Sequence, residues 1–320
     1  MRPQAGDGRL PAEAAAVPGQ KPPFRFRSDV DLVLVEATVR DQHGGIVDGL
    51  TQPDFHIYED GIEQTISTFS RDELPLAVAL VLDCSGSMDP ILRQLSRVAV
   101  ETLSPLKPTD EVALFDFAAR ADLRVALTRD RRRIAERIAT LQAAGGTVIP
   151  DALFEAASYL ARAAPGMRHA IILVSDNGNT LKGYADENDV IREALEAQAA
   201  VYSIRVRAGS PSHEMSVILP IFRDVSVSRI AQDTGGEVIT ATNIEAIRPA
   251  MSTVITRLKQ RYVMGYYSTN HRHDGAFREI AIRVADDSPD PNRKYTVSAR
   301  RGYFAPTETG STEPGAGSRE

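Results

Sequence analysis

Five side chains that lie far apart in the chain have the chemistry to hold one hard metal ion between them: Asp83, Ser85, Ser87, Thr147 and Asp176. Asp83 closes the apolar run Ala77–Leu82, and Cys84-Ser85-Gly86-Ser87-Met88 follows before a helix expected just beyond Asp89-Pro90. Ser85 and Ser87 are two apart, and Gly86 lets the loop turn tightly enough for both hydroxyls to face one point. Thr147 follows Gly145-Gly146 and precedes a helix expected near Asp151; Asp176 follows Ser175 at the end of the apolar run Ala170–Val174. Oxygen donors from Asp, Ser and Thr suit Mg²⁺ or Mn²⁺ rather than zinc or copper. Two carboxylates match a 2+ ion in charge, and three hydroxyls with water complete a partly open octahedron. An ion held in that way can still accept a carboxylate from another molecule.

Those residues need a scaffold, and the hydrophobic pattern divides the chain into three regions with two tails. Residues 24–72 read as a β segment. Val33, Val35, Ala37 and Val39 alternate with Leu34, Glu36, Thr38 and Arg40, the period of a strand, and Asp60-Gly61 is a hairpin signal between Phe55–Tyr58 and Gln64–Phe69. Residues 73–260 change character: strand-length apolar runs (Ala77–Leu82, Val112–Phe117, Ala170–Val174, Val201–Val206) alternate with helical spacings such as Ile134, Ile138, Leu141. This is the pattern of a mostly parallel sheet with helices on both faces, and such sheets bind ligands at the carboxyl ends of their strands. Residues 261–304 return to strands, read as Tyr262–Tyr267, Arg278–Val284 and Tyr295–Arg301. Neither β segment is large enough to be stable alone, so the two are expected to pair into a small β-sandwich with the α/β unit inserted between them. Residues 1–23, rich in proline, and 305–320, poor in apolar residues, read as a disordered leader and tail.

Composition narrows the function classes. A formal net charge of −6 argues against a broad nucleic-acid-binding surface. The basic run Arg129-Asp130-Arg131-Arg132-Arg133 reads as a solvated helix start. Cys84 is the single cysteine, so an intrachain disulfide is excluded, and its place between two site residues reads as core packing. His271 and His273 have no neighbouring ligands with zinc spacing. There is no apolar run of membrane-spanning length and no apolar signal-peptide core. Asp116, between Phe115 and Phe117, is either a strand-end polar residue or an acid that supports the site. Tyr262, Tyr266 and Tyr267 are expected in a core.

The run Asp83-Cys84-Ser85-Gly86-Ser87, with Thr147 and Asp176 following in order, resembles the metal-ion-dependent adhesion site (MIDAS) of von Willebrand factor type A (VWA) domains. The resemblance implies a Rossmann-like α/β domain. It also implies that the serines and threonine approach the metal directly or through water, and that the aspartates act largely through water. A partner's Asp or Glu carboxylate would take the open position. The family's usual Ser-Asp-Gly reads Ser175-Asp176-Asn177 here, and Asn tolerates left-handed backbone. Beyond the domain, Val39-Arg40-Asp41, Gly49-Leu50, Asp54-Phe55, Tyr58-Glu59-Asp60-Gly61, Thr234-Gly235-Gly236, Gln260-Arg261-Tyr262, Gly265-Tyr266 and Arg301-Gly302-Tyr303 resemble a bacterial VWFA-related subfamily of acidobacterial type. That subfamily implies export to the periplasm or cell exterior.

The expected function is therefore a non-enzymatic protein-binding module that captures a partner's carboxylate through Mg²⁺ or Mn²⁺. The competing readings are an intracellular subunit that partners an AAA+ ATPase and a metal-dependent hydrolase. The motifs of common hydrolases, Gly-x-Ser-x-Gly and the Gly-Lys-Ser/Thr phosphate loop, are absent.

Overall fold

In the computed structural model the described residues are 32–71, 74–206, 225–243, 245–285 and 294–307. The leader over 1–23, the start of the first β segment and the tail from 308 onward lie outside them. The central sheet contains six strands: β5 (Leu76–Asp83), β6 (Glu111–Phe117), β7 (Ala121–Thr128), β8 (Arg168–Ser175), β9 (Ala199–Val206) and β10 (Val238–Ala241). Their order is β10-β9-β8-β5-β6-β7, parallel throughout except for the antiparallel edge strand β7. All eight residues of β5 are buried because it is flanked by strands on both sides and covered on both faces.

Among the described residues six helices cover the sheet: α1 (Asp89–Leu103), α2 (Arg131–Ile138), α3 (Ile149–Ala163), α4 (Glu187–Glu196), α5 (Val227–Asp233) and α6 (Ile247–Lys259). Val78, Leu80 and Leu82 point to the layer of α1, α2 and α6, where Ile91, Ile134 and Met251 pack. Ala77, Ala79 and Val81 point to the other layer, against Leu153 and Ala156 of α3 and Val190 of α4. Small alanines on that face let α3 lie close to the strands. Local signals start the helices where the sequence places them. Asp130 accepts hydrogen bonds from the backbone N–H of Arg132 and Arg133 at the head of α2, and Asp186 forms a capping box with Asp189 at the head of α4. The basic run is thus partly structural: Arg131 reaches back to the carbonyl oxygens of Thr128 and Asp110.

The outer segments interleave. β1 (Leu32–Arg40), β4 (Ile66–Ser70), β11 (Tyr262–Tyr267) and β13 (Thr296–Ala299) form one antiparallel sheet in the order β13-β1-β11-β4. β2 (Phe55–Glu59), β3 (Ile62–Gln64), β12 (Phe277–Val284) and β14 (Gly302–Phe304) form a second in the order β14-β12-β2-β3. Each of these two outer sheets contains strands from both ends of the chain, and one apolar core of Val33, Val35, Phe55, Ile57, Met264 and Ile280 serves both. The β2–β3 turn has Asp60 at φ 48° and Gly61 at φ 82°, the two left-handed positions that its Asp-Gly sequence favours.

Three details differ from the sequence reading. The strand expected over Tyr295–Arg301 ends at Ala299, and a further strand follows at Gly302–Phe304, because the chain crosses from one sheet to the other at Arg300-Arg301. There Arg301 donates its N–H to Asp233 O, and Arg300 forms an isolated bridge with Thr234. The chain likewise changes sheets between β3 and β4. Tyr262 and Tyr266 enter the core, but Tyr267, one residue on along a pleated strand, faces outward and is 50% exposed.

Candidate metal centre

β5 and β8 are parallel neighbours, with Leu82 opposite Val174, so Asp83 and Ser175 emerge side by side at the carboxyl ends of the two most buried strands. Asp83 is fully buried. Its Oδ2 accepts a hydrogen bond from Ser175 Oγ at 2.6 Å, and its Oδ1 accepts one from the Ser85 backbone N–H at 2.8 Å. Burial pushes the Asp83 carboxyl up to about 6, against those hydrogen bonds and with the help of the Asp176 charge. A divalent cation at this point would oppose that rise by favouring the ionised form.

The two serines and the second aspartate form one chain of contacts. Ser85 Oγ and Ser87 Oγ are 3.1 Å apart, and Ser87 Oγ donates to Asp176 Oδ2 at 2.7 Å. Asp176 Oδ1 accepts from Gly178 N at 2.9 Å, which fixes the carboxylate over its own loop. Asn177 takes the left-handed conformation, φ 62°, where the resembling motif has glycine. Its strain is met by two bonds: its N–H donates to Ser175 Oγ, and its Oδ1 accepts from Ser203 Oγ on β9 at 3.0 Å.

Thr147 is brought in by a third loop and is buried. Its carbonyl accepts from the N–H groups of Thr180 and Leu181, its own N–H donates to Thr180 Oγ1 at 2.8 Å, and Asn179 Oδ1 accepts from Ile149 N at the head of α3. The loop after β8 is therefore pinned to the loop before α3. Gly146 lies close under that loop: a side-chain carbon at that position would lie 2.8 Å from Leu181 Cγ. On the remaining side, Ala144 N donates to Cys84 O at 2.8 Å. Cys84 itself packs in the core, and Asp116 accepts from Arg124 Nε of the edge strand β7 at 2.5 Å.

All five residues singled out from the sequence thus lie on three top loops that are bonded to one another. The structure adds Ser175, Asn179 and Thr180, which orient them. Ser175 could be foreseen only once β5 and β8 were known to be neighbours. The caps by Asn179 and Thr180 carry no sequence signal. Among the described residues no group of three or more His, Cys, Asp or Glu that could hold a metal ion gathers. Two carboxylates with three hydroxyls form an oxygen-only donor set that fits a hard divalent ion.

Comparison with known proteins gives the same answer for the domain. Residues 78–179 match the von Willebrand factor type A domain family. No curated protein matches the chain. Similar solved structures include BatB from Bacteroides thetaiotaomicron, 19% identical, covering 57% of this chain and 98% of its own, with a TM-score of 0.45. Another is a von Willebrand factor type A protein from Catenulispora acidiphila, 12% identical, covering 89% of this chain and 76% of its own, with a TM-score of 0.47. A third is the pilus adhesin SpaC from Lactobacillus rhamnosus GG, 10% identical, covering 84% of this chain and 48% of its own, with a TM-score of 0.46. The matched span runs from β5 to the loop that carries Asp176, and this chain carries a von Willebrand factor type A domain.

Proposed function

We propose that the protein is a metal-dependent binding module that holds one Mg²⁺ or Mn²⁺ through Asp83, Ser85, Ser87, Thr147 and Asp176 and grips an Asp or Glu carboxylate of a protein partner. The observation that carries this reading is the hydrogen-bonded series Ser85–Ser87–Asp176 set beside buried Asp83 at adjacent strand ends. The bound ion would supply an electrophilic position for the partner's carboxylate. The chain's own residues fix that position: Ser175 and the Ser85 N–H hold Asp83, Gly178 N holds Asp176, and Thr180 anchors the Thr147 loop. Export and a non-enzymatic role belong to the same reading. Among the described residues no helix is long and apolar enough to cross a membrane. The two-sheet unit would serve as the platform that presents the metal face.

Calorimetric titration of Mg²⁺ and Mn²⁺ into the full chain and into Asp176→Ala tests the proposal. One-site binding in the wild type that is lost in the variant supports it. Equal binding by both proteins, or none by the wild type even with a soluble carboxylate present, would overturn it.

A further inference from the structure

The loop between β8 and α4 carries more than Asp176. It also leaves two large side chains in solvent, Leu181 at 42% and Tyr184 at 64% exposure. Neither hangs on slack chain. The N–H groups of Thr180 and Leu181 both donate to Thr147 O, and Asn179 Nδ2 donates to Leu181 O at 3.0 Å. Further along, buried Asp151 of α3 accepts from the Ala185 N–H at 3.0 Å. The Tyr184 ring stands edge-on to Phe154, centroids 5.9 Å apart, and its hydroxyl donates to Glu155. Tyr184 is thus tied to the flank of α3.

Leu181 is set against the metal centre instead. A side-chain carbon on Gly146 would lie 2.8 Å from both its Cγ and its Cδ1, so the isobutyl group covers the Gly146 backbone. Gly146 directly precedes Thr147, and consecutive Cα atoms are about 3.8 Å apart. An apolar group therefore stands about one residue's length from a candidate metal ligand. That is also the spacing between an acidic residue of a partner and its neighbour in the partner's chain. The residues on either side, Thr180 and Lys182, are polar, so the apolar contact is one side chain wide. Because the loop is already ordered, covering Leu181 gains apolar burial with little further loss of freedom.

We propose that Leu181 is the specificity-determining side chain of the metal face, selecting a partner whose captured Asp or Glu has a bulky apolar residue beside it in sequence. The proposal rests on the metal-dependent reading above and adds the class of partner to it. The ion takes any accessible carboxylate; the leucine distinguishes between them.

The probe is a library of displayed heptapeptides with glutamate at the centre and every other position random, captured on the full chain in Mg²⁺ and eluted with EDTA. The baits are the wild type, Leu181→Ser and Leu181→Lys. The wild type is expected to enrich a Leu, Ile, Met or Phe next to the glutamate. Leu181→Ser should lose that preference, and Leu181→Lys should exchange it for an acidic neighbour. The best wild-type peptide, synthesised and titrated by calorimetry, should bind Leu181→Ser about tenfold more weakly, the scale of one leucine left uncovered. Mg²⁺ affinity should be the same in all three proteins. Eluted peptides with no apolar neighbour enriched, or the same neighbours selected by Leu181→Ser as by the wild type, would overturn the proposal and leave the metal reading standing. Loss of Mg²⁺ binding in both variants would overturn it too, by making Leu181 a prop of the Thr147 loop. Failure of the metal reading itself looks different: the wild type binds no Mg²⁺, or its peptides stay bound in EDTA, and the proposal falls with it.

Discussion

Glu36→Gln is the perturbation with the largest consequence that the structure allows to be worked out. Glu36 stands on β1, yet it receives Arg168 from the start of β8 and Arg261 from the link between α6 and β11. One side chain therefore ties the two-sheet unit to both the floor and the exit of the central unit. Both arginines are about 5% exposed and cannot regain water if the carboxylate is removed. Leaving a buried charge unpaired costs roughly 3–5 kcal/mol. Glu36 keeps 27% of its side chain in solvent, which screens the pair and places the expected loss near the lower end, about 3 kcal/mol. For a chain of this size that is about 4–5 °C in Tm.

The pH dependence has a defined sign. Burial alone would raise the Glu36 carboxyl, but the charges of Arg168 and Arg261 outweigh it and hold it below its ordinary 4.5. A lowered carboxyl stabilises the fold above its unfolded value, and that contribution is lost as pH falls through the folded value. The gap between wild type and Glu36→Gln should therefore be constant above about pH 5 and close on further acidification. Urea unfolding followed by tyrosine fluorescence across that range measures it. A gap below about 1 kcal/mol at pH 7, the ordinary value of a surface pair, would refute the assignment of Glu36 as the hub.

Other outcomes are as definite. Ser87→Ala removes the link between Ser85 and Asp176 and should lower Mg²⁺ affinity at least about tenfold with little change in the urea midpoint, since the hydroxyl's net worth to folding is about 1 kcal/mol. Asn177→Ala puts an ordinary residue at φ 62° and drops the bond to Ser203, costing about 2 kcal/mol, whereas Asn177→Gly keeps the backbone and should cost about 1 kcal/mol or less in the same denaturation assay. Because burial holds the Asp83 carboxyl up at about 6, Mg²⁺ affinity measured by calorimetry should fall about tenfold per pH unit below that value and level off above it. Residues 73–260 expressed alone should give a cooperative thermal transition, while 24–72 alone should show no dispersed amide spectrum, since each sheet needs strands from the far end of the chain.

The placement of Asp83, Ser85, Ser87 and Asp176 was legible in the sequence because they sit at or just beyond the ends of strands whose apolar runs announce themselves. The run Ala77–Leu82 could only be a strand covered on both faces, and whatever followed it had to emerge at the top of the sheet. The Asp60-Gly61 turn was legible for a similarly local reason. What the sequence hides is pairing across distance. No local pattern says that Val35 lies opposite Met264, or that the strand after Tyr295 breaks so that Tyr303 can reach Glu59 in the other sheet. Glu36 reads as the polar half of an alternating strand, and its two arginines are remote in sequence. The motif residues outside the metal face gain a physical meaning only in three dimensions. A side-chain carbon on Gly235 would lie 2.6 Å from Arg300 N, and one on Gly302 would lie 2.1 Å from Arg278 O, so both glycines mark places where two backbones nearly touch.

The way the central unit is attached also decides how the molecule bears tension. The chain leaves the first sheet after Ser70 and returns to it at Tyr262, and Ser70 is paired with Val263 on the adjacent strand. Entry and exit thus form a single doorway, closed by the rungs between β4 and β11. A pull on the chain before Ile66 and after Tyr267 acts on one end of this antiparallel pair, so it must peel those rungs in turn before anything between them feels the load. A pull applied to the α/β unit itself meets the same doorway from within. While those rungs hold, the α/β unit is hauled on by its own chain without being unspooled.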